Sequence, residues 1–310
     1  MALGILIIPD LYAKYERNRV IRELNRMCFV FLLLFIANTV ICTALSYYPK
    51  PMYGMISGIS YGGIYAAAFN SIPVVLFAFF IFNAHKLSYT YLSTGVISFL
   101  LLMITMRRSV ALVSIFAILI VLFYLLYTKK ARKLFIVILI LTAAAFSLTF
   151  LGIADQFEER YDSRFHNRQL VSMDEGRFMD FKLVYKDLFV DNRYGKLFGF
   201  EFFNAPGNYG GGIFGDRNLH ADIPLIVHAS GMVGLTLYLL MILKSFKHSW
   251  RYCLTYMDKF IFLFCTLTFV VFTISGRITN TAYALSLFSV LMIPIANSGR
   301  YEKHSRFVLR

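Results

Sequence analysis

Long apolar runs separated by short basic connectors dominate the chain, and the pattern predicts membrane-spanning helices. A hydrocarbon core of about 30 Å needs roughly 20 apolar residues in a helix. The stretches 27–46, 62–82, 89–106, 109–127, 134–153 and 222–243 meet or approach that length. A C-terminal stretch is too long for one span and divides into 260–276 and 280–297, interrupted by Gly276, Arg277 and Asn280. Arg107 and Arg108 divide 89–127 in the same way, because two arginines reach water at a hairpin tip but are costly at mid-bilayer. The expected fold is all-α, a polytopic transmembrane helix bundle of about 8 spans with one large loop. Residues 1–13 are apolar but too short to cross. Their basic residues follow the apolar run, which argues against a signal peptide.

The predicted division is 1–153 for five N-terminal spans and the stub, 154–221 for the loop, 222–297 for three further spans, and 298–310 for a basic tail. The segments 14–26, 83–88, 129–133, 244–259 and 299–310 hold 18 basic residues, against 4 in the short connectors opposite. That asymmetry puts the five segments in the cytoplasm and the loop 154–221 outside. Within the loop, 174–190 reads as an amphipathic helix. Phe178, Phe181, Tyr185 and Leu188 lie near one face, and Asp180, Lys182, Lys186 and Asp187 mostly elsewhere. A flexible stretch follows, with glycines at 207, 210, 211, 212 and 215.

Composition narrows the class. Only 15% of the 310 residues are charged and 58% are hydrophobic, which excludes disorder and leaves too little polar surface for a soluble domain. The net charge of +14 sits in the connectors, so no nucleic-acid surface is expected. Cys28, Cys42 and Cys265 fall in apolar stretches and Cys253 in a connector, so no disulfide framework is expected. No His/Cys cluster has zinc spacing and Asp191-Asn192-Arg193 is not an Asp-x-Asp motif, so neither a metal nor another cofactor is expected.

The topology gathers polar residues at the outer face. Arg107, Arg108, Arg177, Arg217 and Arg277 could form an anion site with helix N-termini, joined by His220 and Asp222. Each also has a plain structural reading. Arg107 and Arg108 fit an interfacial snorkelling pair, Arg177 a solvated position, and His220 a hydrated interface residue. His228, two turns into its span, fits a packed polar contact or part of a substrate path. Gly231 and Gly234 fit close helix packing.

The run Arg217-Asn-Leu-His220-Ala-Asp222, followed by Gly231-Met-Val-Gly234-Leu, resembles the signature of the O-antigen polymerase and O-antigen ligase superfamily. Thr105-Met-Arg107-Arg108-Ser109, Gly176-Arg177 and Leu197-Phe-Gly199-Phe resemble further elements of that family in the same order. The resemblance covers about 50–297. It implies a bacterial inner-membrane, metal-independent glycosyltransferase acting on undecaprenyl-diphosphate-linked glycans from a large periplasmic loop. It further implies diphosphate-binding roles for Arg107 or Arg108, Arg177 and Arg217, with Arg277 a possible addition, and a catalytic role for His220 with Asp222 beside it. A flippase and a chain-length regulator of the same pathway would be its partners, along with membrane lipids. Ala221 stands where the family commonly has Asn. Family members usually have ten to twelve spans, so two to four helices would precede residue 1. A ligase that transfers polymer to a lipid A core is the first alternative and a lipid-linked oligosaccharide flippase the second. The absence of internal repeats and mid-membrane charges argues against a transporter.

Overall fold

The computed structural model describes residues 2–47, 59–64, 66–84, 88–105, 107–129, 176–200, 208–212, 219, 221–275 and 281–297. Among them every regular element is helical: α1 (Ala2–Ala13), α2 (Arg17–Ala44), α3 (Ala66–Asn83), α4 (Tyr89–Ile104), α5 (Arg108–Tyr127), α6 (Gly176–Tyr185), α7 (Asp222–Arg251), α8 (Tyr256–Ser275) and α9 (Thr281–Leu291). Helices α2, α5, α7 and α8 are long and apolar enough to cross a membrane, and α1, α3, α4 and α9 are shorter apolar helices. The expected span 134–153 lies outside the described residues. The chain divides into two compact units. One is Met1–Ser163 with Ser249–Leu267 and Asn280–Arg310, and the other is Arg164–His248 with Thr268–Thr279.

The first unit is built around α3. Leu76, Phe77, Ala78, Phe79 and Ile81 of this helix are all fully buried, so α3 has no polar face and sits inside the bundle. It packs on α2, α4, α5 and α9, and Phe77 stacks on Phe264 with ring centroids 3.8 Å apart. Asn25 and Asn83 exchange amide hydrogen bonds of 3.2 and 2.7 Å between α2 and α3, which satisfies two polar groups in an apolar setting. The stub is helical: α1 packs on α9 and on the turn Ile293–Asn297.

One end of this unit is fastened by a buried ion pair. The Arg17 guanidinium donates to both oxygens of Asp258 and to Thr255 Oγ1. Thr255 N–H donates to Asp258 Oδ2 at 2.9 Å, and Asp258 N–H donates back to Thr255 Oγ1 at 3.2 Å. This is a capping box at the start of α8. It uses orphan donors of the helix N-terminus and anchors the first residue of α2 at the same point. Helix α2 begins ten residues before the expected span, because Arg17–Arg26 continues the helix in polar sequence, with Glu23 paired to Arg22 and Arg26.

The second unit packs α6, the π-type turn Lys186–Val190 that follows it, and the short turn Tyr209–Gly212 against α7. Val184, Leu188, Tyr209, Leu219 and Val227 form its apolar core, flanked by Leu183, Tyr194, Ile223, Leu225 and Leu235. Within this unit Phe246 of α7 also packs against Phe269 of α8 at 5.4 Å.

Candidate functional site

The site grows from the inner face of α6. Asp180 and Asp187 are buried together with Val184 and Leu188, while Tyr185 and Phe189 are exposed. This corrects the expected amphipathy, which set the acids mostly away from the apolar face and put Tyr185 on it. The spacing 180, 184, 187, 188 is itself one helical face, and two acids share it with two aliphatic residues because partners wait inside. A buried carboxylate is tolerated only when it is hydrogen-bonded or paired. Asp187 accepts the Gly210 N–H at 2.5 Å and lies 3.5 Å from the Arg193 Nε and 3.5 Å from the Tyr194 hydroxyl. Asp180 accepts from the Tyr209 hydroxyl at 3.4 Å. The helix widens here: Asp191 N–H reaches Lys186 O five residues back, and Arg193 N–H bonds Asp187 O, both at 2.9 Å.

Tyr194 joins this network to α7. Its hydroxyl lies 2.7 Å from His228 Nδ1. Burial, and then the nearby Asp187 charge, push the Tyr194 phenol well above its ordinary range, so it keeps its proton near neutral pH. The phenol has one proton and donates it to Asp187 Oδ2, and both contacts are then hydrogen bonds when His228 carries its proton on Nδ1 and donates to the phenol oxygen. The His228 ring is fully buried, stacked on Phe200 at 5.6 Å with Tyr194 edge-on at 5.1 Å. Asp187, Tyr194 and His228 thus form a polar chain linking three segments. The sequence did not single out Asp187, Arg193, Tyr194 or Tyr209 as site residues. The helical spacing of two acids and two aliphatics on one face was the available signal for the first. No local pattern marks the others.

Helix α7 breaks within this site. Gly231 has φ 63° and ψ −161°, a conformation closed to residues with a Cβ. The turn Lys196–Gly199 is inserted at the break. Met232 N–H bonds Lys196 O at 3.0 Å, Val233 N–H bonds Leu197 O at 3.1 Å, and Phe200 N–H bonds His228 O at 2.7 Å. The two glycines face each other so closely that a Cβ on Gly231 would meet Leu197 O at 2.3 Å, and one on Gly199 would meet His228 O at 2.6 Å. Gly231 therefore admits a loop, where the sequence suggested a neighbouring helix.

The other expected residues fall as follows. Asp222 is the first residue of α7 and is fully buried. Arg107 immediately precedes α5 in the first unit, with its guanidinium 4.6 Å over the Phe69 ring. Arg108 and Arg177 open α5 and α6, and their side chains lie outside the described residues. Arg217, His220 and Arg277 lie outside them altogether. Of the expected site residues whose side chains are described, the second unit thus holds Asp222 and His228, and the first unit holds Arg107. Among the described residues no group of His, Cys, Asp and Glu could hold a metal ion. Comparison of the chain with protein-family models, with curated proteins and with solved structures finds no match.

Proposed function

We propose that the protein is a membrane glycosyltransferase that joins undecaprenyl-diphosphate-linked repeat units of an O-antigen or capsular polysaccharide at the periplasmic face of the inner membrane. One observation carries this reading. Leu197-Phe198-Gly199 and Gly231, two elements of the family resemblance more than thirty residues apart, interlock through three backbone hydrogen bonds around His228. Glycines chosen only for helix packing would not require that register.

In the proposed reaction an acceptor sugar hydroxyl attacks the anomeric carbon of the donor. The bond to the diphosphate oxygen breaks and its electron pair leaves with undecaprenyl diphosphate. His220 takes the hydroxyl proton, since a neutral imidazole suits that role near pH 7, and Asp222 orients it. Arg177 and Arg217 offset the charge that grows on the leaving diphosphate. His228, buried and held by Tyr194, positions the break in α7 and does not touch substrate. A diphosphate leaves readily, so no paired carboxylates of the glycosidase kind are needed.

The test is extension of purified lipid-linked repeat units by the purified protein. His220→Gln should abolish extension while donor binding persists, and Arg177→Lys should restore little of what Arg177→Ala loses, because a point charge does not replace a guanidinium fork. Full extension by both His220→Gln and Arg177→Ala would overturn the reading. Transfer of glycan to lipid A core in place of a second repeat unit would make the protein a ligase.

A further inference from the structure

Leu197 and Phe198 are 60% and 73% exposed, although they belong to the turn that fills the break in α7. Their level in the membrane follows from that register. Gly231 is nine residues from Asp222, the start of α7, or about 13 Å along the axis at 1.5 Å per residue. Counted from Lys244, where the apolar run of α7 ends, it is thirteen residues away, or about 20 Å of a hydrocarbon core about 30 Å thick. The two counts put the Gly231 break about 10 to 13 Å inside the leaflet nearer Asp222.

Non-helical backbone at that depth survives only if its polar groups are satisfied by protein. Here those that face the break in α7 are. The carbonyls of Gly195, Lys196 and Leu197 accept bonds from Gly199, Met232 and Val233, and the Gly199 and Phe200 N–H groups donate to Gly195 O and His228 O. The flanking surface is graded. Met232 and Val233 are exposed beside the turn. Lys196 reaches back over Phe189 at 5.9 Å, and Phe189 pairs with the exposed Tyr185 at 5.1 Å. Lys182 and Lys186 are also exposed. Apolar side chains at the tip with aromatic and lysine side chains behind them are the order in which a bilayer presents acyl chains, interface and phosphate headgroups.

We propose that the turn Lys196–Gly199 is a re-entrant tip embedded in the bilayer, with Leu197 and Phe198 against the acyl chains of the leaflet nearer Asp222 and Lys196 at its headgroups. The tip would anchor the second unit to lipid independently of α7's own lipid-facing surface. The proposal does not depend on the glycosyl-transfer chemistry.

The chain has one tryptophan, Trp250, which allows a single-reporter test on the full-length protein in nanodiscs. In a Trp250→Phe background, Phe198→Trp should show blue-shifted emission, lose intensity to acyl-brominated lipids and resist aqueous iodide. Leu237→Trp, at an exposed position of α7, serves as the marker for a lipid-facing helix and should behave alike. Iodide quenching of Phe198→Trp with lipid quenching of Leu237→Trp would put the tip in water and overturn the proposal. Insensitivity of Phe198→Trp to both quenchers would show a protein cover and overturn it equally. Iodide quenching at Leu237 would remove the depth argument and the proposal with it. If Phe198→Trp does not fold, Leu197→Trp gives the same reading.

Discussion

Asp258 and Asp187 are both buried carboxylates, yet they are held in opposite ways. Asp258 is gripped by Arg17, by the Thr255 backbone and by the Thr255 hydroxyl, and the side chains of the ion pair are 13% and 0% exposed. Asp187 relies on one backbone N–H, a phenol at 3.5 Å and a guanidinium whose side chain is 44% exposed. The first arrangement is a staple: charge meets charge, a helix cap is closed, and two chain segments far apart in sequence are fixed. The second is a relay: the carboxylate is held loosely enough that its hydrogen bonding continues through Tyr194 to His228. A fold uses the first kind of burial to hold helices, and the second kind suits a place where side chains must be positioned for chemistry.

The comparison breaks most visibly at Asp258. Asp258→Ala leaves Arg17 buried without its partner and should cost about 3–5 kcal/mol, read as a large fall in the thermal unfolding midpoint in detergent. The double replacement Arg17→Met with Asp258→Leu should recover much of that loss, because an apolar pair avoids desolvating two charges. If Asp258→Ala costs no more than Asp187→Asn, the staple and the relay are not different in kind.

Next in size is Gly231→Ala, which forces a Cβ towards Leu197 O in a backbone conformation reserved for glycine. It should cost about 3 kcal/mol and speed hydrogen exchange at Phe200, Met232 and Val233, whose amides hold the inserted turn. Unchanged exchange there would mean that the turn does not depend on the break.

Tyr194→Phe removes the hydroxyl at 2.7 Å from His228 Nδ1 and should cost about 1–2 kcal/mol. Its sharper signature is a shift in the His228 imidazole resonances, which a purely packing role for Tyr194 would not produce. Smallest of all, Arg193→Ala should cost less than about 1 kcal/mol, because the guanidinium is half exposed and screened and Asp187 keeps the Gly210 N–H and the Tyr194 hydroxyl. A loss as large as that of Asp258→Ala would make Asp187 a second staple.

Much of the helical framework was legible because hydropathy acts locally. The break between α4 and α5 at Arg107 follows directly from charged residues that a bilayer would not accept in mid-span. The start of α2 was read ten residues late, since hydropathy registers the membrane segment and not the polar turns that extend it. Residues 1–13 are too short to cross a bilayer, and their helix is settled by packing on α9 and the turn Ile293–Asn297, which come from the far end of the chain.

For the candidate site, the sequence marked Asp222 and Gly231 by motif and His228 by its place inside a span, but not what surrounds them. The apolar periodicity of 174–190 was right about a helix over 176–185 and wrong about its inner face. An aspartate reads as outward-facing until the Gly210 N–H or the Tyr209 hydroxyl that receives it is known, and both lie more than twenty residues away.

By itself the sequence determined a helical chain with apolar helices long enough for a bilayer, the charge asymmetry of its connectors, and the positions where helices must stop. These follow from the cost of moving polar groups into hydrocarbon, which each short stretch incurs alone. Tertiary structure alone decided which acids are buried, that Tyr194 links Asp187 to His228, and that Gly231 opens α7 to the turn at Leu197. Those depend on hydrogen bonds between segments distant in the chain, whose worth exists only once the partners are brought within bonding distance.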